Sequence, residues 1–182
     1  MSFLETYGPL VDIPIDYNTP KYIQYYQQDG FVEVCRLDYY KRTRQWEVHV
    51  VNEDYMWSDH KSWVYIITDS IRVAKIGESG NPLGIRTRNG QPLRGTKCRV
   101  GRILSGDTTD YEIRESLKHS AGRSPSWVSI WAKKCDIGLT AVTIGGDAKK
   151  LTATYHKALE LEYLDAYYSA TDTYPPLNKG RK

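Results

Sequence analysis

The chain has 182 residues, of which 40% are apolar and 26% charged, with a formal net charge of +3. A chain this long can bury a core without staples, so one domain is expected, with an N-terminal elaboration. Three scattered cysteines without a C-x-x-C pair argue against a disulfide framework or a zinc site, the four histidines show no metal-ligand spacing, and no apolar run is long enough to span a membrane.

Residues 1–28 mix Pro9, Pro14 and Pro20 with aromatic and polar residues and read as irregular, with a short helix near 22–28. Phe31 to Leu37 alternates and predicts a strand, and Gln45 to Val51 alternates again through Trp46, Val48 and Val50, so a hairpin is expected. Asn52 to Ser62 is a polar connection. Trp63 to Thr68 predicts a third strand, Asp69-Ser70 a tight turn, and Ile71 to Ile76 the returning strand, ended by Gly77.

Asn81-Pro82 predicts the start of a short helix that carries Leu83, Ile85 and Arg86 and stops near Gly90, because Pro is tolerated in a first turn. Cys98 to Leu104 reads as a strand. Asp107-Thr108-Thr109-Asp110 offers caps for a helix through His119. Trp127 to Lys133 and Leu139 to Ile144 read as strands. Gly145-Gly146-Asp147 then leads into a long helix from Ala148 to about Tyr168.

The chemistry-bearing residues gather around the 63–77 hairpin. It joins the phenol of Tyr65 to the ammonium of Lys75, and Arg86 follows on the expected helix. Antiparallel pairing around Asp69-Ser70 puts Tyr65 opposite about Ala74, with Lys75 one step along. The two side chains share a side only if a bulge or a different turn shifts the register. Read alone, the pattern is equally a plain hairpin with an edge lysine.

Trp63-Val64-Tyr65, Lys75-Ile76-Gly77 with Ser79, Arg86, Glu160 and the Pro175-Pro176-Leu177-Asn178 ending, in that order, resemble the GIY-YIG endonuclease superfamily. The likeness spans about residues 63–178. Trp63 stands where the family has Gly and Lys75 where it has a second Tyr, which looks most like its small stand-alone type II restriction endonucleases. Gly90 stands where many relatives carry Tyr or His. The resemblance implies an α+β fold, a small mostly antiparallel sheet flanked by helices. It also implies a division into an N-terminal extension with a β-hairpin (1–62, DNA-contacting or dimer-supporting) and a nuclease core (63–182).

The same resemblance implies hydrolysis of double-stranded DNA by in-line attack of water. Tyr65, Lys75, Arg86 and Glu160 would be catalytic. Glu160 would hold one Mg²⁺, for which Mn²⁺ can substitute, and Glu162 is the rival for that role. Apolar Leu161 and Leu164 favour Glu160. Arg86 would donate to the scissile phosphate, and Lys75 would lower the pKa of Tyr65, the base. A cut at a palindrome implies a homodimer. A phage, homing or repair-type nicking enzyme and a non-catalytic DNA-binding module are the alternatives.

Charge supports a polyanionic partner independently. Residues 1–60 hold five Lys/Arg and ten Asp/Glu, so the remaining residues carry the positive excess. Between Ser79 and Ser105 there is no acidic residue, while Arg86, Arg88, Arg94, Lys97, Arg99 and Arg102 lie in that window. Neutralising phosphates with such a cluster releases counterions. Arg88, Arg94, Lys97, Arg99 and Arg102 are therefore the expected DNA contacts, and the hairpin tip at Tyr39–Arg44 is a second candidate. Free thiols and a start, Met1-Ser2-Phe3-Leu4-Glu5, without signal-peptide blocks predict an intracellular, cytoplasmic protein.

Overall fold

The computed structural model describes residues 15–95, 97–106, 111–120, 127–144 and 147–178. Strands β1 (Val32–Tyr40), β2 (Gln45–Val50), β3 (Trp63–Asp69), β4 (Arg72–Ser79) and β5 (Val128–Lys134) form one antiparallel sheet in the order β2-β1-β5-β3-β4. The N-terminal hairpin is thus built into the same sheet as the 63–79 hairpin, with β5 between them. Strands β6 (Ile137–Ile144) and β7 (Asp147–Thr154) pair as a separate two-stranded ribbon. Among the described residues the helices are α1 (Ile23–Gln27), α2 (Glu53–Met56), α3 (Arg99–Ser105), α4 (Tyr111–Ser120) and α5 (His156–Thr171). It is an α+β protein with a five-stranded antiparallel sheet flanked by helices.

The unbroken apolar run in β3 follows from its place in the sheet. Tyr65 and Ile67 pack on one face with Met56, Leu83, and Val100 and Ile103 of α3; Val64 and Ile66 pack on the other with Tyr163, Leu164 and Tyr167 of α5. A strand covered on both faces needs no polar alternation. Each such buried side chain contributes about 1.5–3 kcal/mol relative to exposure. On α5, His156, Glu160, Leu164 and Tyr167 recur at helical spacing, so Glu160 is a carboxylate set in the stripe that faces the sheet.

Several expected elements differ. No helix forms over 81–90: Leu93 N–H donates to the Ile85 carbonyl at 2.7 Å, and Thr87 and Gln91 close a turn, so the chain doubles back there. The stretch 98–104 is helical, not extended. Val100, Ile103 and Leu104 face the core, and Gly101 lets the helix press on the Leu93 carbonyl, which a Cβ would overlap. The long C-terminal helix begins at His156, because residues 147–154 are claimed by β6; pairing across a hairpin outweighs the helix preference of Ala148, Lys149 and Leu151. The expected caps at Asp107–Asp110 and Gly145-Gly146 lie outside the described residues. Asn52–Ser62 contains α2, whose first turn is capped by the Asn52 side chain accepting from Tyr55 N–H.

Candidate active site

The hairpin turn sits at Ser70-Ile71, one residue later than expected, so Asp69 pairs with Arg72 and Thr68 with Val73. Beyond that point the register shifts: Ile67 pairs with Lys75 and Tyr65 with Gly77. Ala74 is the extra residue of a β-bulge. Opposed residues share a face, so an unbulged strand would set Lys75 opposite Ile66 and turn it away from Tyr65. The bulge brings Tyr65, Ile67, Lys75 and Gly77 to one side.

The chain terminus holds this irregular edge. Leu177 N–H donates to the Ala74 carbonyl at 2.8 Å. The Asn178 amide then behaves as a neighbouring strand: its Oδ1 accepts from Ile76 N–H at 2.9 Å and its Nδ2 donates to the Ile76 carbonyl at 2.7 Å. Further back along the same edge, Val73 N–H donates to the Lys21 carbonyl at 3.0 Å.

Past Ile76 the edge strand opens onto a cleft of about 200 Å³ lined by Tyr65, Lys75, Gly77, Glu78, Arg99, Ile113 and Glu160. Tyr65 is 1% exposed, and its ring lies against Gly77, where an added Cβ would stand 2.5 Å from Tyr65 Cζ. The Arg99 guanidinium lies over that ring, 4.7 Å from its centroid. Arg99 is itself buried at the start of α3, its backbone N–H donating to the Pro82 carbonyl at 2.9 Å. Thus β3 and β4 supply the phenol and the amine, α3 the guanidinium, and α5 the carboxylate.

Three of the four expected catalytic residues, Tyr65, Lys75 and Glu160, meet in this cleft. Arg86 does not line it. It is exposed on the irregular segment after β4, stacked over the Trp57 ring at 5.6 Å. Arg99, expected among the DNA contacts, lines the cleft instead. Glu162 lines a different hollow with Lys133, Lys134 and Tyr155. Of the remaining basic window, Arg88, Arg94 and Lys97 are exposed and Arg102 is half-buried.

Glu78 was missed by the sequence reading, although it directly follows Lys75-Ile76-Gly77. Its carboxylate meets His156 Nε2 at 3.0 Å. Glu78 and Glu160 are the carboxylates that line the cleft. Among the described residues no group of three or more His, Cys, Asp and Glu is arranged to hold a metal. This donor set suits a hard cation that keeps several waters, and not one that needs a full protein cage. Among the described residues, no helix is long and apolar enough to cross a membrane.

No family model matches the chain, and no curated protein matches it. Solved structures do. A mutant of bacteriophage T4 EndoII superposes with a TM-score of 0.55 at 13% identity, over 87% of this chain and 98% of that one. The restriction endonuclease HPY188I, solved in complex with product DNA, gives a TM-score of 0.46 at 16% identity, over 85% of this chain and 83% of that one. At such identity the likeness to the phage protein is one of fold.

Proposed function

We propose that the protein is a metal-dependent DNA endonuclease of the GIY-YIG type, most like the site-specific type II restriction enzymes. The observation that carries this reading is the convergence of Tyr65, Lys75, Arg99 and Glu160 on one cleft at the edge of β4. The fold shared with EndoII supports it.

In this reading Glu160 holds a single Mg²⁺, with Mn²⁺ as a substitute. When bound, the ion supplies positive charge for the phosphate and the departing oxygen. Arg99 takes the role expected of Arg86: its planar fork donates to the scissile phosphate and steadies the charge that builds there. Tyr65 accepts a proton from the attacking water. Cations beside a phenol favour its ionised form, and both Lys75 and Arg99 line the cleft with it. Exposed Arg88, Arg94 and Lys97 hold the flanking phosphates, together with half-buried Arg102. Two copies acting about a two-fold axis would cut both strands of a palindrome.

Plasmid incubated with the protein and Mg²⁺ tests this, with EDTA as control. Discrete fragments support a site-specific enzyme; nicks or smears support the looser phage, homing or repair type; a mobility shift without cutting supports a binding module. Tyr65→Phe, Lys75→Ala, Arg99→Ala and Glu160→Gln should each lower cleavage by about 100-fold or more. Arg86→Ala should retain cleavage within about tenfold. The reverse result for the two arginines would return the phosphate role to Arg86.

A further inference from the structure

Beside the cleft lies a buried polar chain that the proposed reaction does not use. Ser62 Oγ lies 2.9 Å from His156 Nδ1, and His156 Nε2 lies 3.0 Å from Glu78 Oε2. One neutral tautomer satisfies both ring nitrogens: the serine hydroxyl donates to Nδ1, and Nε2–H donates to the carboxylate. The order serine, histidine, carboxylate resembles a nucleophile with its base, yet Ser62 is wholly buried and His156 is 3% exposed. No substrate reaches that hydroxyl. The chain opens to solvent only at its other end, where the Glu78 side chain is 29% exposed and lines the cleft.

Three elements meet at this histidine. Ser62 immediately precedes β3, which carries Tyr65; Glu78 is on β4, which carries Lys75; and His156 opens α5, which carries Glu160 one turn later. Residues four apart on a helix lie on one face, about 5–6 Å apart. The N-cap of α5, Tyr155, makes no side-chain capping bond, so the polar seat of this helix start is the His156 chain. We infer that His156 is a positioning residue of the cleft, seating α5 and its Glu160 against β4 through Glu78, while Ser62 fixes the ring tautomer that donates to it. This rests on the nuclease reading given above.

A pair of variants separates this from ordinary core packing. In His156→Gln the amide nitrogen reaches the place of Nε2 and still donates to Glu78, while the Ser62 bond is lost. In His156→Asn the shorter amide reaches only the place of Nδ1, so Ser62 is kept and Glu78 is lost. Three measurements apply: plasmid cleavage as Mg²⁺ is titrated, the Mg²⁺ concentration that raises the melting temperature, and DNA affinity in EDTA.

His156→Gln is expected within about threefold of wild type in all three. His156→Asn should lose about 10–100-fold in cleavage rate and need about tenfold more Mg²⁺ in both titrations, as removal of a group that orients a metal-holding side chain does. Its DNA affinity in EDTA should be unchanged. Equal behaviour of the two variants, or a loss no greater than the loss of folded protein, overturns the inference. Should His156→Asn fail to fold, Glu78→Ala removes the same contact from the other side, and a wild-type Mg²⁺ requirement there also overturns it. A wild-type chain that cuts no DNA defeats the nuclease reading and this inference with it. A wild type that cuts beside an Asn variant indistinguishable from Gln defeats the inference alone.

Discussion

Asn178 lies 102 residues from Ile76 in sequence, yet it closes both backbone groups of Ile76 at 2.9 and 2.7 Å. Asn178→Ala removes both bonds at once. A hydrogen bond that water can replace costs about 0.5–1.5 kcal/mol to lose, and one whose partner stays buried and unsatisfied about 1–3 kcal/mol. Ile76 is fully buried and Asn178 half-buried, so the site lies between these limits. The expected loss is about 2–3 kcal/mol, a fall of about 4–12 °C in melting temperature for a chain of this size. The functional cost should exceed that. With the Ile76 contacts gone, the edge beside the bulge at Ala74 is held less firmly, and a slip of one residue would turn Lys75 to the wrong face. Cleavage at 25 °C, where the variant remains folded, should fall well beyond any loss of folded protein. Asn178→Asp is the sharper probe: it keeps the acceptor for Ile76 N–H but sets a carboxylate oxygen against the Ile76 carbonyl, so it should be no better than Ala. A variant that melts within about 1 °C of wild type and cuts normally would show that the terminus does not hold the bulge.

Gly77→Ala should displace the Tyr65 ring, because the new methyl would stand 2.5 Å from Tyr65 Cζ in a site with 1% exposure. Overpacking of this kind costs about 1–3 kcal/mol, and both the melting temperature and cleavage should fall; unchanged values would place the ring elsewhere in solution. Glu33 bridges β1 and β5, accepting from Arg36 Nε and from Ser129 Oγ, each at 2.7 Å. The Arg36 hydrogen bond, with help from Ser129 and against the effect of burial, holds its carboxyl below the usual carboxylate range. The folded value lies below the unfolded one, so the stabilisation is complete above the unfolded pKa of about 4.3 and fades as pH falls through the depressed value. Glu33→Gln should therefore melt lower than wild type at pH 7, by the equivalent of about 1–2 kcal/mol, with the gap closing under acid; a gap that persists or widens under acid would assign the stabilisation to packing.

The parts of the site that were legible in the sequence are those fixed by local pattern. The apolar run at 63–67 marks a strand whatever its partners, and Glu160 stands out as an acidic residue within a helical apolar stripe. What was not legible depends on distant closure. A bulge is one inserted residue and leaves no mark in composition; here the strand edge around Ala74 is held by residues more than 100 positions away. The helix expected over 81–90 had a sound start signal in Asn81-Pro82, but hydrogen bonds from Leu93 to Ile85 and between Thr87 and Gln91 fold that segment back on itself. Losing that helix is what leaves Arg86 at the surface.

The two arginines are separated by their surroundings more than by their position in sequence. Arg86 is exposed beside an indole, an environment open to any solvated cation. Arg99 is carried by a helix whose next buried residues, Val100 and Ile103, are in the core with Tyr65, and its guanidinium is stacked on the Tyr65 ring. A group held in that way is pre-set for a single geometry, which is what stabilising charge at a reacting phosphate requires. Sheet order also places the acid-free segment beside this cleft: it follows β4, whose Lys75, Gly77 and Glu78 line the cleft, and Arg99 comes from within it.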